Sequence, residues 1–341
     1  MVKGLYGISG STTVLEKLSE YLLKRGVDVT VGALKFKRQP PIKVKTLNIG
    51  IPPNVRTLKN LLQDFDIIHN HHPIMNYLAL ISRRPFVYHY HGAPEFGRRY
   101  LFRFSMLLSI KLVNHAFDAV IAVSESGAME LKRYFSLNNV HVIYNGVDTN
   151  RFKHGLDERF RKGTPQFLFV GNLYEHKKVE ELILALKELV KTYPKAHLQI
   201  VGGGYTYAKL QSLVVKLNLQ DHVTVIGRVP DSDLPYYYVS CDVYTTASRY
   251  EVCPVPLLEA MACGKPVVAS SIPPHVELIT KSKAGTTYTE GDMEGLCKKM
   301  IKTYEESDKY RSNALHFAKE HDWSAVADRV LRIYTQIGLM Q

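Results

Sequence analysis

Short apolar runs rich in β-branched residues alternate with longer amphipathic stretches along the whole chain, which is the pattern of βαβ units on a parallel sheet. In the first half, Gly4 to Gly10 reads as a strand entering a Gly-Ser turn, Thr13 to Arg25 as a helix closed by Gly26, and Asp28 to Leu34 as the next strand. Strands at Asp66 to His69, Pro85 to His89 and Ala119 to Ser124 follow, with polar tips of the kind that face a ligand crevice in open α/β sheets. The pattern restarts with a strand at Gln166 to Gly171, a helix from about Val179 to Thr192, and strands at His197 to Val201, Val223 to Ile226, Val243 to Thr246 and Val267 to Ser270. Between the halves, residues 148–165 lose the periodicity and fill with Lys, Arg, Gly, Asp and Pro, as a linker does. The expected fold is α/β, with Rossmann-like domains at 1–150 and 151–320 and a terminal helix at 321–341. That helix belongs to an amphipathic run, His316 to Ile337, with apolar Phe317, Trp323, Val326, Val330, Ile333 and Tyr334.

A length of 341 residues suits two ordinary domains. The start lacks the apolar stretch of a signal peptide and no apolar run nears the roughly 20 residues needed to cross a bilayer, so a cytoplasmic protein is expected. Cys241, Cys253, Cys263 and Cys297 form no C-x-x-C pair, which argues against a zinc site or a disulfide framework. The net charge of +12 is uneven: residues 1–150 hold 19 basic against 10 acidic side chains, and the rest 25 against 22. The first half is the basic one.

The segment Tyr250 to Ser270 carries the strongest chemical signal. Glu251 lies in a loop and Glu259 in a short helix that Pro256 can start and Gly264 can end. The N-terminus of that helix, around Cys253, Pro254 and Val255, offers a positive dipole end and, from the non-proline residues, N–H groups to a diphosphate. Carboxylates are strong acceptors for sugar hydroxyls. The whole segment resembles the retaining two-domain glycosyltransferases that include glycogen synthases, sucrose synthases and bacterial mannosyltransferases (family 4, group 1). The resemblance implies that Glu251 contacts donor-sugar hydroxyls and Glu259 the nucleotide ribose.

Val170 to Ile183 is similar to that family's Gly-Arg-Leu, three residues, Lys-Gly motif, whose Arg and Lys grip the donor diphosphate. Lys177 falls on the lysine, Asn172 replaces the arginine and Lys178 replaces the glycine, so phosphate neutralisation would rest on Lys177 with Lys178 beside it. The Gly7 to Ser11 stretch, with Gly10, resembles the glycine-rich turn that closes over the donor phosphates. Tyr88 to Gly92 resembles the strand-end motif whose histidine, here His91, faces the reacting sugar. Val201 to Gly204 and Val223 to Val229 resemble strands and loops beside the base, and Asn145-Gly146 reads as a structural turn in the link between halves. The adjacent His71 and His72 lack acidic company, and no D-x-D cluster stands among the candidate residues, so no metal is expected.

What the resemblance implies is a GT-B fold, two domains facing each other across a deep cleft with the terminal helix returning to the first. The implied reaction is metal-independent transfer of a hexosyl unit from a UDP-, GDP- or ADP-linked sugar to an acceptor hydroxyl, with retention. His91, Glu251 and Lys177 are the catalytic candidates; Gly10, Asn172, Lys177, Lys178, Cys253, Pro254, Val255 and Glu259 are the donor-binding ones. No cofactor beyond the substrate and no nucleic-acid partner is implied. A sugar-nucleotide epimerase or a non-catalytic sugar-nucleotide-binding subunit would share the architecture, whereas a dehydrogenase would need a G-x-G-x-x-G that the first strand does not precede. For the acceptor, a carbohydrate or a lipid-linked carrier fits. Residues 29–63 carry seven Lys and Arg without an acid between Lys35 and Lys59, and 97–113 form a basic amphipathic stretch. That stretch reads either as a peripheral contact with an anionic membrane or as a crossover helix with its apolar face in the core.

Overall fold

The computed structural model describes residues 2–6, 10–36, 45–48, 55–92, 108, 110–155 and 157–338. Its contacts divide the chain into two compact units, Met1–Gly146 with Trp323–Gln341, and Val147–Asp322. Each is a parallel sheet with helices on both faces.

The sheet of the first unit runs in the order β3-β2-β1-β4-β5-β6-β7. Its strands are β1 (Val2–Tyr6), β2 (Thr30–Phe36), β3 (Lys45–Asn48), β4 (Ile68–Asn70), β5 (Phe86–Tyr90), β6 (Ala119–Ala122) and β7 (Val140–Val142). Strands β4, β5 and β6 are buried at every position, as a sheet covered on both faces requires. The helix Gly10–Leu23 presents Val14, Leu15, Leu18 and Leu22 at helical spacing. Against them packs the terminal helix Trp323–Gln336, through Val326, Ala327, Val330, Ile333 and Tyr334. Arg25 ties the two together, donating to Ser324 O at 2.7 Å and pairing with Asp328.

The expected continuous helix from His316 is instead two helices, Ser307–Glu320 and Trp323–Gln336. The break has a local cause. His321 Nδ1 folds back to within 2.8 Å of Phe317 O, Val147 N donates to His321 O at 2.9 Å, and Asp322 Oδ2 accepts from Thr149 Oγ1 at 2.6 Å. The His321 carbonyl that would continue the helix is thereby spent on Val147, and the Asp322 side chain on Thr149. The Asn145-Gly146 pair is no turn either. Gly146 is needed because a Cβ there would stand 2.5 Å from the Trp323 ring.

The second unit holds β8 (Gln166–Val170), β9 (His197–Val201), β10 (Val223–Gly227), β11 (Val243–Thr246), β12 (Val267–Ser270) and β13 (Gly285–Tyr288), in the order β10-β9-β8-β11-β12-β13. Phe167, Phe169, Leu198, Ile200, Val243 and Val268 form one sheet face, covered by the helices Val179–Leu189 and Met293–Glu305. From β8 the chain adds strands on one side as far as β10, then returns to the other side at β11. The switch point thus falls between β8 and β11, at the C-terminal strand ends where open α/β sheets bind their ligands.

Candidate active site

Lys177 follows β8 and Glu251 follows β11, so the two residues singled out from separate motifs arrive at the same switch point. The structure brings them into contact: Lys177 Nζ donates to Glu251 Oε1, with side chains 16% and 17% exposed. Burial pushes the Glu251 carboxyl up, but Lys177, His275 and a hydrogen bond with Ser248 outweigh it and hold the pKa below the ordinary value. The loops are also stitched through backbone, Arg249 N donating to His176 O at 2.8 Å, and the Arg249 guanidinium reaches Glu181 at 3.3 Å.

Local conformation explains how Lys177 is presented. Residues Glu175–Lys177 make one 3-10 turn, and Lys178, at φ +48° and ψ +38°, turns the chain into the helix Val179–Leu189. Left-handed backbone favours glycine. Lys178 therefore keeps the glycine-type conformation of the position it occupies, with its ammonium 3.8 Å from Glu180. Asn172 is exposed on the same loop. Beneath it the glycine loop after β9 presses close: a Cβ at Gly202 would meet Gly171 O at 1.8 Å, and one at Gly204 would meet Leu173 O at 2.2 Å.

After Glu251 the chain passes buried Cys253 and Pro254 into the helix Val255–Ala262, which has no side-chain cap and no acid in its first turn. An anion is the natural complement to such a helix start. Glu259, on the last turn, points elsewhere: Tyr238 Oη donates to its Oε2 at 2.6 Å. Burial drives the Glu259 pKa up to about 7 against the lowering effects of Tyr238 and Arg151. The Asp231-Ser232-Asp233 triplet leads into the helix Leu234–Ser240.

Two residues passed over in the motif reading belong to this site. His275, fully buried at the start of the helix Pro273–Ser282, lies 3.1 Å from both Ser270 Oγ and Ser270 O through Nδ1, while its Nε2 has no partner. Burial pulls it down to about 4 even though the Glu251 charge acts the other way. Ser248 is the other, its carbonyl accepting from Ser270 Oγ. Ser248 lies in no sequence pattern that singles out a site, and His275 stands in Ile272 to Leu278, a stretch whose resemblance to the family's loop after the donor strand assigns it no role; the meeting of β11 and β12 reveals both.

The first unit contributes a separate group. His91 is half-buried at the tip of β5, its Nε2 2.9 Å from His71 Nδ1. Nitrogens of His69, His71 and His89 lie within 4.8 Å of one another, a grouping that could hold a metal ion and that the adjacency of His71 and His72 did not disclose. Gly10 is the first residue of the helix Gly10–Leu23, and Gly7–Ser9 lie outside the described residues. So do Lys37, Arg38, Lys43 and Arg98 to Met106 of the basic stretches. Of 97–113, Ile110 is fully buried while Leu108 and Leu112 are 43% and 62% exposed. No helix among the described residues is long and apolar enough to cross a membrane.

Two Rossmann-like halves, with a lysine and a glutamate meeting at the switch point of the second, define an α/β protein of the open-sheet class, whose ligands characteristically bind at such points. The chain belongs to the glycosyl transferases group 1 family, whose model matches residues 149–325, and is a glycosyltransferase; a Glycosyltransferase Family 4 model matches residues 8–151. Over 308 residues it is 28% identical to a phosphatidyl-myo-inositol mannosyltransferase of Propionibacterium freudenreichii, covering 86% of this chain and 77% of that one. It is 29% identical over 249 residues to the O-antigen chain mannosyltransferase RfbU of Salmonella typhimurium, covering 72% and 65%. Among solved structures, Anabaena Alr3699/HepE in complex with UDP superposes with a TM-score of 0.82 at 22% identity over 98% of this chain and 99% of that one. Sucrose-phosphate synthase from Thermosynechococcus elongatus gives 0.82 at 21% identity, covering 98% and 95%. These two likenesses show the GT-B fold.

Proposed function

We propose that the chain transfers a hexosyl unit from a nucleoside diphosphate sugar to an acceptor hydroxyl with retention and without a metal ion. The observation that carries this reading is the Lys177–Glu251 pair at the switch point, directly ahead of an uncapped helix start. Lys177, with Lys178 and Asn172 on the same loop, would meet the diphosphate together with the backbone N–H groups of Cys253 and Val255 on either side of Pro254. Glu251 would accept from sugar hydroxyls, and Glu259 from the ribose once Tyr238 yields it. With no carboxylate assigned as a covalent nucleophile, the departing diphosphate, stabilised by Lys177 and the helix start, would take the proton of the attacking acceptor on the same face. Lys177 and Lys178, once drawn from Glu251 and Glu180 to the diphosphate, would supply the charge that a divalent ion would otherwise provide.

For the acceptor we propose a lipid-linked hydroxyl at an anionic membrane surface. A relative at 28% identity carries a phospholipid acceptor in its name, and the exposed Leu108, Lys111 and Leu112 continue a basic amphipathic stretch.

The test is a thermal-shift panel of UDP-, GDP- and ADP-linked sugars, since a ligand that binds the folded state raises its stability by mass action. Stabilisation by one base series should be followed by transfer in the presence of a chelator, with the product's anomeric configuration read by NMR. Inversion, or activity that a chelator abolishes and a divalent ion restores, would overturn the corresponding part. Isomerised nucleotide sugar without transfer would replace the reading by an epimerase. Sedimentation with anionic and neutral vesicles at low and high salt tests the surface contact, and no binding under any condition would sink it.

A further inference from the structure

We propose that His275 is a positioning residue for Glu251, seating the loop that carries it through Ser270 and Ser248; this rests on reading Glu251 as the group that holds the donor sugar. Ser270 ends β12, and His275 is the third residue of the helix Pro273–Ser282 that follows. Thr246 ends the neighbouring strand β11, and the loop from there carries Ser248 and Glu251. The two strands pair in register as far as Thr246 against Ala269. Beyond that point side chains take over from the ladder. Thr246, Ser248, Ser270 and His275 are all buried, no more than 2% exposed.

The direction of each hydrogen bond follows from what its partners can give. Burial pulls His275 down to about 4, so near neutral pH the ring carries one N–H and one lone pair. Its Nδ1 lies 3.1 Å from Ser270 O, which can only accept, so the hydrogen sits on Nδ1. Ser270 Oγ spends its own proton on Ser248 O and takes the Nδ1–H, also at 3.1 Å, as the second branch of a three-centre bond. Ser248 Oγ donates to the Glu251 carboxylate, which leaves Thr246 Oγ1 as the donor in the 3.1 Å contact between the two hydroxyls. Ser248 is thereby held from β12 by its carbonyl and from β11 by its hydroxyl, and it offers Glu251 a hydrogen bond from a fixed place. That matters most when Lys177 turns to a diphosphate, because Ser248 then still holds the carboxylate. Packing alone does not explain the imidazole. Its Nε2 is buried without a partner among the described residues, a cost that an apolar side chain of similar size would not carry.

His275→Leu fills the space without a donor, and His275→Asn returns an amide N–H close to where Nδ1 stood. Release of nucleoside diphosphate from UDP-glucose, GDP-mannose and ADP-glucose is measured, taking whichever gives the largest wild-type rate, and binding of the matching nucleoside diphosphate is titrated alongside. His275→Leu should lower kcat about tenfold, the scale of one lost hydrogen bond. Affinity for the nucleoside diphosphate should stay unchanged, since Lys177 and the helix start at Val255 are untouched, and His275→Asn should recover most of the lost rate. Ser270→Ala should lower kcat to a similar extent, and the double variant with His275→Leu no further than the worse single, because both break one route. Losses that multiply in the double variant would refute the route through Ser270. Loss of nucleotide binding in His275→Leu, with no recovery in His275→Asn, would make His275 a support of the fold and overturn the proposal as well. If Glu251→Gln keeps wild-type turnover, the reading of Glu251 is wrong and the proposal falls with it. If Glu251→Gln is impaired while His275→Leu retains wild-type kcat, the positioning role alone is refuted.

Discussion

Lys177 and Glu251 neutralise each other in a largely buried contact between the loops that follow β8 and β11. On the proposed function these same groups take different partners, the lysine a diphosphate and the glutamate a sugar, so donor binding has to divide the pair. Glu251→Gln frees Lys177 in advance. That variant should bind UDP or GDP at least as tightly as the wild type by titration calorimetry, while sugar transfer falls by about tenfold or more. Weaker nucleotide binding in Glu251→Gln would show that the pair is a structural strut and no donor site.

Lys177→Ala should behave in the opposite way, weakening nucleoside diphosphate binding and transfer by about tenfold or more through loss of a charge-assisted contact. It also changes the acid response. In the wild type the Glu251 pKa sits below its ordinary 4.5 despite burial, so the stability it contributes is present above that value and is lost as pH falls through the folded pKa. Without the lysine, burial dominates and the sign reverses, which thermal unfolding between pH 3 and pH 6 would register as a flatter or inverted acid limb.

Glu259 carries the contrary signature. Burial drives it up to about 7, so an unfolded chain releases this proton first as pH rises above 4.5 and the folded state loses stability progressively until about 7. Glu259→Gln preserves an acceptor for Tyr238 and cannot titrate. Its unfolding midpoint should therefore fall less steeply than the wild type's between pH 5 and pH 7; parallel curves would contradict the assignment.

Lys178 occupies a left-handed conformation at φ +48°. Replacing it by glycine relieves a backbone cost on the order of 1 kcal/mol, partly offset by the greater freedom of glycine in the unfolded chain. Chemical denaturation should show a small gain in stability for Lys178→Gly, and a loss would mean that the lysine side chain contributes more than its backbone costs.

A methyl group at position 146 would collide with the Trp323 ring. Gly146→Ala is expected to destabilise the first unit by about 1–3 kcal/mol, as overpacking does. An unchanged denaturation midpoint would show that the indole can move aside freely.

The architecture was readable because β-branched runs and amphipathic stretches alternate with different periods, and the Glu251 and Lys177 segments were readable because each is contiguous. What escaped reading depends on register or on distant partners. His69 and His89 stand twenty residues apart and meet only through the pairing of β4 with β5. Tyr238 and Glu259 come from successive helices, and nothing local marks the hydroxyl that holds the carboxylate. The helix break at His321 and Asp322 was hidden because apolar positions continue through it, while the cause lies in Val147 and Thr149. Likewise Asn-Gly suggested a turn at 145–146, where the glycine answers to a tryptophan far along the chain.

That tryptophan is the single one in the sequence, 3% exposed in the core of the first unit beside Val326 and Ala327. Its emission is thus a native spectroscopic label for one half of the molecule, whereas far-ultraviolet circular dichroism averages over both. If the halves melt independently, the two signals will trace different transitions, and a single two-state free energy will have no meaning for the whole chain.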